Sequence, residues 1–200
     1  MTRVCAAALA VVAILGPVDA RAQDDDYLEG IGFVLGSADA PVQVVEFADF
    51  ACSACAQFAR DTWPALRDRY VLTGLVQWQV IAFELGFPNS DEGARTAQCA
   101  AEQDRFWPMH DALYLRQPEW VGLRKPAAAL LALADSIGLD ARRFEACYDD
   151  DPRKEETDRA NRAARRHGVR GTPTFLVGDV RVHGALPIET FAQIIEGRLR

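Results

Sequence analysis

Cys52 and Cys55 stand three residues apart at the end of the run Val44-Val45-Glu46-Phe47-Ala48-Asp49-Phe50-Ala51-Cys52-Ser53-Ala54-Cys55. In the first turn of a helix, that spacing puts both sulfurs on one face, near enough to close a small disulfide ring. So small a ring restrains little of the unfolded chain. It reinforces poorly and is better suited to being opened and closed by thiol–disulfide exchange. A helix N-terminus favours the thiolate of Cys52, the reactive form, through its unpaired N–H groups and positive dipole end. Cys55, one turn deeper, is expected to be shielded and to act second, releasing a mixed disulfide by attacking Cys52.

The same spacing serves haem attachment and zinc sites. Haem attachment needs a following His, and Ala56 stands there. A closed zinc site needs four ligands, whereas Cys99 and Cys147 are isolated from each other and from the pair. Soft thiolates suit Cu(I), but no Met or His flanks the motif to complete such a site. A Cu/Zn-binding thiol carrier is therefore the rival from another class, and neither metal nor cofactor is expected. Far downstream, Gly171-Thr172-Pro173-Thr174-Phe175 sets a proline at the head of an apolar strand, a place for a cis bond. Glu46 is a carboxylate inside an otherwise apolar strand. It either faces solvent from an edge or is buried with a raised pKa, and its place beside the cysteines favours burial.

The run from Glu46 to Cys55, together with Gly171-Thr172-Pro173, resembles the DsbA family of thioredoxin-like disulfide oxidoreductases. The stretches Ala97-Gln98-Cys99-Ala100 and Phe106-Trp107-Pro108-Met109-His110-Asp111-Ala112-Leu113-Tyr114 are similar to that family's helical region, and the resemblance runs from about Gly36 to the C-terminus. It implies Cys52 as nucleophile, Cys55 as resolving cysteine, Thr172-Pro173 as a cis-proline loop facing them, and Glu46 as a buried acid assisting proton transfer. It also implies exchange with reduced or unfolded exported proteins and reoxidation by a membrane-bound partner. The competing reading within this fold is a disulfide isomerase or reductase. The short stretch before Gly36 leaves no room for the dimerisation domain of related isomerases, which favours a monomeric oxidase.

The elements that must position these residues follow from the pattern. Residues 31–35 read as an edge strand, 42–48 as an apolar strand, 52–70 as a helix kinked at Pro64, and 76–83 as the next strand, a parallel crossover unit. Between Asn89 and His167 only helices are expected: 91–102, 106–116, 126–137, a short one capped by Asp140 and carrying Phe144, Cys147 and Tyr148, and 152–167. Strands 174–177 and 180–183 and a helix from Pro187 close the chain. The fold class is thus α/β: a thioredoxin fold whose halves, 36–88 and 168–200, enclose a helical subdomain at 89–167.

Residues 1–22 read as a secretory signal, with Arg3 ahead of an apolar run from Val4 to Val18 and Ala20-Arg21-Ala22 as the cleavage region. That run is short for a membrane span, and residues 23–35 form a polar leader and the edge strand. Beyond the signal, 20 Lys and Arg face 28 Asp and Glu, which makes nucleic acid a poor partner. In an oxidising compartment, four mature cysteines favour a structural Cys99–Cys147 bridge over two buried thiols. The basic stretch from Arg153 to Arg170 reads as a solvated helix face. His110, His167 and His183 lack metal-ligand spacing, with His167 of interest for its nearness to the proline loop.

The best-known family members carry His where this chain has Ala54, and a His there adds charge or a hydrogen bond to the Cys52 sulfur. The Cys52–Cys55 disulfide is therefore expected to be a milder oxidant than theirs. Ala54→His is predicted to lower the Cys52 pKa and make the reduction potential more positive, as read by thiolate absorbance and glutathione equilibria. No change in either would show that this position does not set the potential.

Overall fold

The apolar run Val42–Ala48 forms β2, the central strand of a five-stranded sheet in a computed structural model that describes residues 28–151 and 154–200. The secretory signal at 1–22, the leader to residue 27 and the expected helix start at Pro152 lie outside the described residues. Strand β1 is Phe33–Leu35, β3 is Val76–Ala82, β4 is Thr174–Val177 and β5 is Val180–His183. Their order is β1-β3-β2-β4-β5, with β2 and β3 parallel and every other pair antiparallel. Five strands, a parallel crossover and a closing hairpin with a helix make the α/β thioredoxin-like architecture.

Strand β2 is covered on both faces, and its alternation separates two cores. Val42, Val44 and Ala48 point to the larger, with Trp78 and Val80 of β3 and Phe175 and Val177 of β4. Val45 and Phe47 point to the smaller, with Ile81, Leu28 and Ile31. A period of two in a strand buried on both sides explains why the run is nearly all apolar.

The larger face receives α1, Ser53–Asp61, and α2, Trp63–Leu66. The helix is broken at Thr62 (φ −119°), where a kink at Pro64 was expected. Pro64 sits in the first turn of α2, where its missing N–H costs little. The Thr62 side chain turns out to donate to the Leu186 carbonyl at 3.0 Å, and a single π-helical turn, Arg67–Val71, follows α2.

The helical interval comprises α3, Ser90–Ala101; α4, Phe106–Leu115; α5, Ala127–Ser136; α6, Ala141–Asp150; and α7, Lys154–Arg166. Asp140 caps α6 by accepting from the Arg143 N–H at 2.9 Å. A disulfide joins Cys99 of α3 to Cys147 of α6. Helix α7 has a different partner: Ala160, Ala163 and Ala164 pack on the smaller core beneath β2 and β3. The chain ends in α8, Ile188–Arg198, which buries Phe191 and Ile195 in the larger core.

The disulfide joins two cysteines 48 positions apart in the sequence. A crosslink of that span restricts the unfolded chain by about 3–4 kcal/mol. Replacing Cys99 and Cys147 together by Ala is therefore predicted to lower the unfolding free energy by about 2–4 kcal/mol in urea titrations. A loss below 1 kcal/mol would show that the helical unit holds its shape without the crosslink.

Candidate active site

Cys52 is the N-cap residue of α1, with extended backbone (φ −75°, ψ 123°), and Cys55 lies one turn inside. The strand delivers them as its hydrophobic pattern ends: after Ala48 the chain turns through Asp49, and the Cys52 N–H donates to the Asp49 carbonyl at 3.0 Å. Both thiols are free, and both are enclosed, Cys52 with 5% of its surface exposed and Cys55 with none.

Register brings the proline loop to them. Phe47 pairs with Thr174 across β2 and β4, so the residues just ahead of β4 run alongside the turn leaving β2. The Thr172–Pro173 bond is cis, and the Cys52 thiol donates to the Thr172 carbonyl at 3.4 Å. That bond serves the neutral thiol. The thiolate is served by the Cys55 thiol, which donates to the Cys52 sulfur and is the largest influence on it. Burial works the other way, while the Thr172 side chain, unlike its carbonyl, and the N–H groups of Cys55 and Ala54 add to the lowering. The net result is a Cys52 pKa lowered to about 6. Cys55 is held well above the usual cysteine range, first by burial and then by the thiol–thiolate contact with Cys52. One sulfur is thus ready to attack while its neighbour keeps its proton.

Glu46 points to the same side of β2 as Val44 and Ala48, with 2% of its surface exposed. The Trp78 indole Nε1 donates to its Oε2 at 3.0 Å. Burial pushes its pKa up to about 8, and the indole bond only partly offsets this. The carboxyl is therefore protonated at neutral pH.

Two residues with no assigned part in the sequence reading fasten this turn. Asp49 accepts from the Ala51 N–H at 2.8 Å, the Leu85 N–H at 2.9 Å and the Ser90 hydroxyl at 2.7 Å. It therefore ties the cysteine turn to the end of β3 and to the start of α3. Its pKa is raised, because burial outweighs those three donors. The Gln117 amide donates to the carbonyls of Phe50 at 2.8 Å and Cys52 at 3.0 Å. An acid between Ala48 and Phe50, directly before the cysteines, was a readable signal for Asp49; nothing around Gln117 marks it.

His110 is enclosed by aromatic rings, with Tyr114 at 5.0 Å and Trp107 at 5.2 Å, and its Nδ1 meets Asp111 Oδ1 at 2.9 Å. The His167 ring lies 6.2 Å from Phe47, whose side chain belongs to the smaller core on the far side of the sheet. His183 is exposed on the edge strand, with its Nδ1 3.2 Å from the Thr174 hydroxyl. Among the described residues, no three His, Cys, Asp or Glu side chains cluster in a way that could hold a metal ion.

An asymmetric dithiol at a helix N-terminus, facing a cis-proline loop at the end of a β2–β3 crossover, defines a protein of the thioredoxin-like class. The thioredoxin family model matches residues 29–197, and the chain belongs to that family as one of its DsbA-like members. It is 31% identical over 151 residues to a probable disulfide bond formation protein D of Bacillus cereus, covering 72% of this chain and 68% of that one. The oxidised crystal structure of BdbD from Bacillus subtilis superposes with a TM-score of 0.70 at 26% identity, covering 83% and 91% of the two chains. A Na(+)/H(+) antiporter NhaA 3 of Salinispora tropica is 35% identical over 187 residues, which is 92% of this chain and 26% of the antiporter. The chain thus spans about a quarter of that relative's length.

The raised Glu46 pKa has a consequence for stability. An unfolded Glu ionises near 4.5, whereas the folded one holds its proton to about 8. This contribution is fully present below pH 4.5 and is lost as pH rises through 8, amounting to on the order of 3 kcal/mol lost by pH 7. Glu46→Gln is predicted to match the wild type in urea unfolding at pH 4 and to be the more stable protein at pH 7 and 8. Equal stability at all three pH values would mean that Glu46 is ionised in the folded protein.

Proposed function

We propose that this chain is an exported thiol–disulfide oxidoreductase that passes its Cys52–Cys55 disulfide to reduced proteins as they fold. The observation that carries this reading is the division between the two sulfurs, one held as thiolate near neutral pH and the other holding its proton. The names of the relatives that form disulfide bonds support the same direction.

A substrate thiolate attacks Cys52 Sγ, the Cys52–Cys55 bond breaks, and Cys55 leaves and takes up a proton. The mixed disulfide then yields to a second substrate thiolate, which attacks the substrate's own sulfur and releases Cys52 as thiolate. The substrate has lost two electrons and two protons; Cys52 as thiolate and Cys55 as thiol hold the two electrons, and the protons not kept by Cys55 go to solvent. A low Cys52 pKa makes it a good leaving group in that last step. Glu46, protonated and on the same face, is the proton source for the departing Cys55. The Thr172 backbone ahead of Pro173 offers its polar groups to an extended substrate segment laid beside Cys52.

Reoxidation falls to a membrane-bound partner, and the protein works as a monomer. Export rests on the secretory pattern at 1–22. Among the described residues, no helix is long and apolar enough to cross a membrane. The helices after β3 reach the cysteine turn through Ser90, which donates to Asp49, and Gln117, which donates to the Phe50 and Cys52 carbonyls.

Two variants test the roles. Cys52→Ser is predicted to abolish oxidation of a reduced, unfolded multi-disulfide protein, with activity falling at least a hundredfold. Cys55→Ser is predicted to accumulate mixed disulfides through Cys52, visible as adducts on non-reducing gels and by peptide mapping. Adducts on Cys55 in the Cys52→Ser protein at equal yield would reverse the assignment. Faster insulin reduction or scrambled-disulfide repair than oxidation would favour the reductase or isomerase reading. Stoichiometric Cu(I) binding without turnover would favour the carrier.

A further inference from the structure

The backbone of the cysteine turn decides where the Cys52 sulfur points, and two side chains of opposite character hold that backbone. Asp49 accepts: its carboxylate takes the Ala51 N–H at 2.8 Å, and its carbonyl takes the Cys52 N–H at 3.0 Å. Gln117 donates: its amide nitrogen lies 2.8 Å from the Phe50 carbonyl and 3.0 Å from the Cys52 carbonyl. The Cys52 carbonyl also accepts from the Ala56 N–H at 3.1 Å, the first bond of α1. Both amide hydrogens of Gln117 are therefore directed to the carbonyls on either side of Ala51, where strand gives way to helix.

Gln117 reaches the turn from a fixed base. It opens the short helical turn Gln117–Glu119 after α4, and its own carbonyl accepts from the Trp120 N–H at 3.2 Å and the Val121 N–H at 3.0 Å. The Trp120 indole is buried and donates to the Leu113 carbonyl at 3.0 Å, while the Asn89 amide, ahead of α3, donates to the Val121 carbonyl at 2.8 Å. Gln117 itself is buried, as are Phe50 and Cys52. Water is therefore a poor replacement for the amide. Without it, the Phe50 carbonyl must turn to find another donor, and the peptide planes that aim Cys52 turn with it. The groups that favour the Cys52 thiolate, the Cys55 thiol and the N–H groups of Cys55 and Ala54, act over hydrogen-bond distances and lose strength as the sulfur moves out of line.

We propose that Gln117 is a positioning residue for Cys52: by holding the Phe50 and Cys52 carbonyls it keeps the sulfur in line with the free N–H groups at the mouth of α1, and so fixes how readily the Cys52–Cys55 disulfide is reduced. This inference deepens the proposed exchange reaction and rests on it. In reduction by glutathione, a first thiolate attacks Cys52, the Cys52–Cys55 bond breaks, and Cys55 leaves and takes up a proton. A second thiolate attacks the glutathione sulfur of the mixed disulfide, and Cys52 leaves as thiolate. Two electrons pass to the protein and glutathione disulfide forms; of the two protons that glutathione brings, Cys55 keeps one and solvent takes the other. The better Cys52 is held as thiolate, the further this reaction runs toward reduced protein. A side chain from the helical unit thereby helps to set the potential of a dithiol carried by the crossover helix.

Gln117→Met tests this, because it keeps the length of the side chain and removes both donors. In the full chain, the pH midpoint of Cys52 thiolate absorbance is expected to rise by about one unit, the worth of an ordinary hydrogen bond. At pH 8 the glutathione equilibrium is expected to shift about tenfold toward the oxidised protein. The titratable groups around the turn are Cys55 on α1, Glu46 and Asp49 at the end of β2, and His110 and Tyr114 on α4; Arg116 and Glu119 beside Gln117 bind each other, and the substitution changes none of them. Gln117→Asn, one carbon short of both carbonyls, is expected to show the same two shifts. A residue that only supports the fold lowers the unfolding stability of oxidised and reduced protein equally and moves neither the midpoint nor the equilibrium. That result in both variants overturns the proposal, whereas a larger loss in the reduced protein supports it. A wild-type disulfide that glutathione does not reduce would instead overturn the exchange reaction itself.

Discussion

The structure depends on holding a sulfur at the mouth of a helix. An N-cap cysteine meets N–H groups that have no carbonyl to bond within the helix, and a thiolate answers them better than a neutral thiol does. This works only if Cys52 stays at the cap and Cys55 stays inside, so that one thiol serves as donor to the other. Strand β2 is rigid because both its faces are covered, and it fixes the point from which the helix starts. Asp49 then fixes the turn between them by using its carboxylate on two backbone N–H groups and one hydroxyl.

The helical unit is more than a cover laid over this arrangement. It reaches the cysteine turn through Ser90 and Gln117, and it approaches so closely at Gly93 that a Cβ there would stand 2.7 Å from Phe50 and 2.8 Å from Trp120. A side chain at that position would push α3 away from the turn that Phe50 belongs to. The requirement for glycine is one of space, since α3 is regular there and needs no unusual backbone angle. Tyr114, at the end of α4, brings the same unit into the electrostatics of Cys55 and Glu46.

Much of this is legible in the sequence. The strands alternate or run apolar with the period their burial demands, and the spacing of Cys52 and Cys55 carries its own chemistry. Glu46 announced itself as a charge where the pattern asked for none. Other features stayed hidden because their meaning is tertiary. Gln117 is a polar residue among polar neighbours until the Phe50 and Cys52 carbonyls are placed beside it. The alanine stripe of Lys154–Arg166 marks a buried helical face, but no local pattern says that it faces the sheet's smaller core and not the helices around Cys99. His167 follows that helix to the far side, although its nearness in sequence to Pro173 pointed to the cysteines. At Thr62 the break owes as much to a long-range bond to Leu186 as to the proline two residues on.

The pairing of β2 draws its two neighbours from opposite ends of the chain: β3 follows within the same crossover unit, while β4 comes after the entire helical interval. A chain emerging from its N-terminus can therefore assemble β2, α1 and β3 while the Thr172 loop has yet to exist. During that interval Cys52 has its helix but no wall in front of it, and Cys99 and Cys147 pass by as competing thiols. What favours the Cys52–Cys55 couple is distance along the chain. Cys55 is three residues from Cys52 and is met far more often than Cys99 or Cys147, which lie 44 or more residues from either, because the loop to be closed is so much shorter. The short spacing that makes this bridge a weak staple also makes it the first that the growing chain can form.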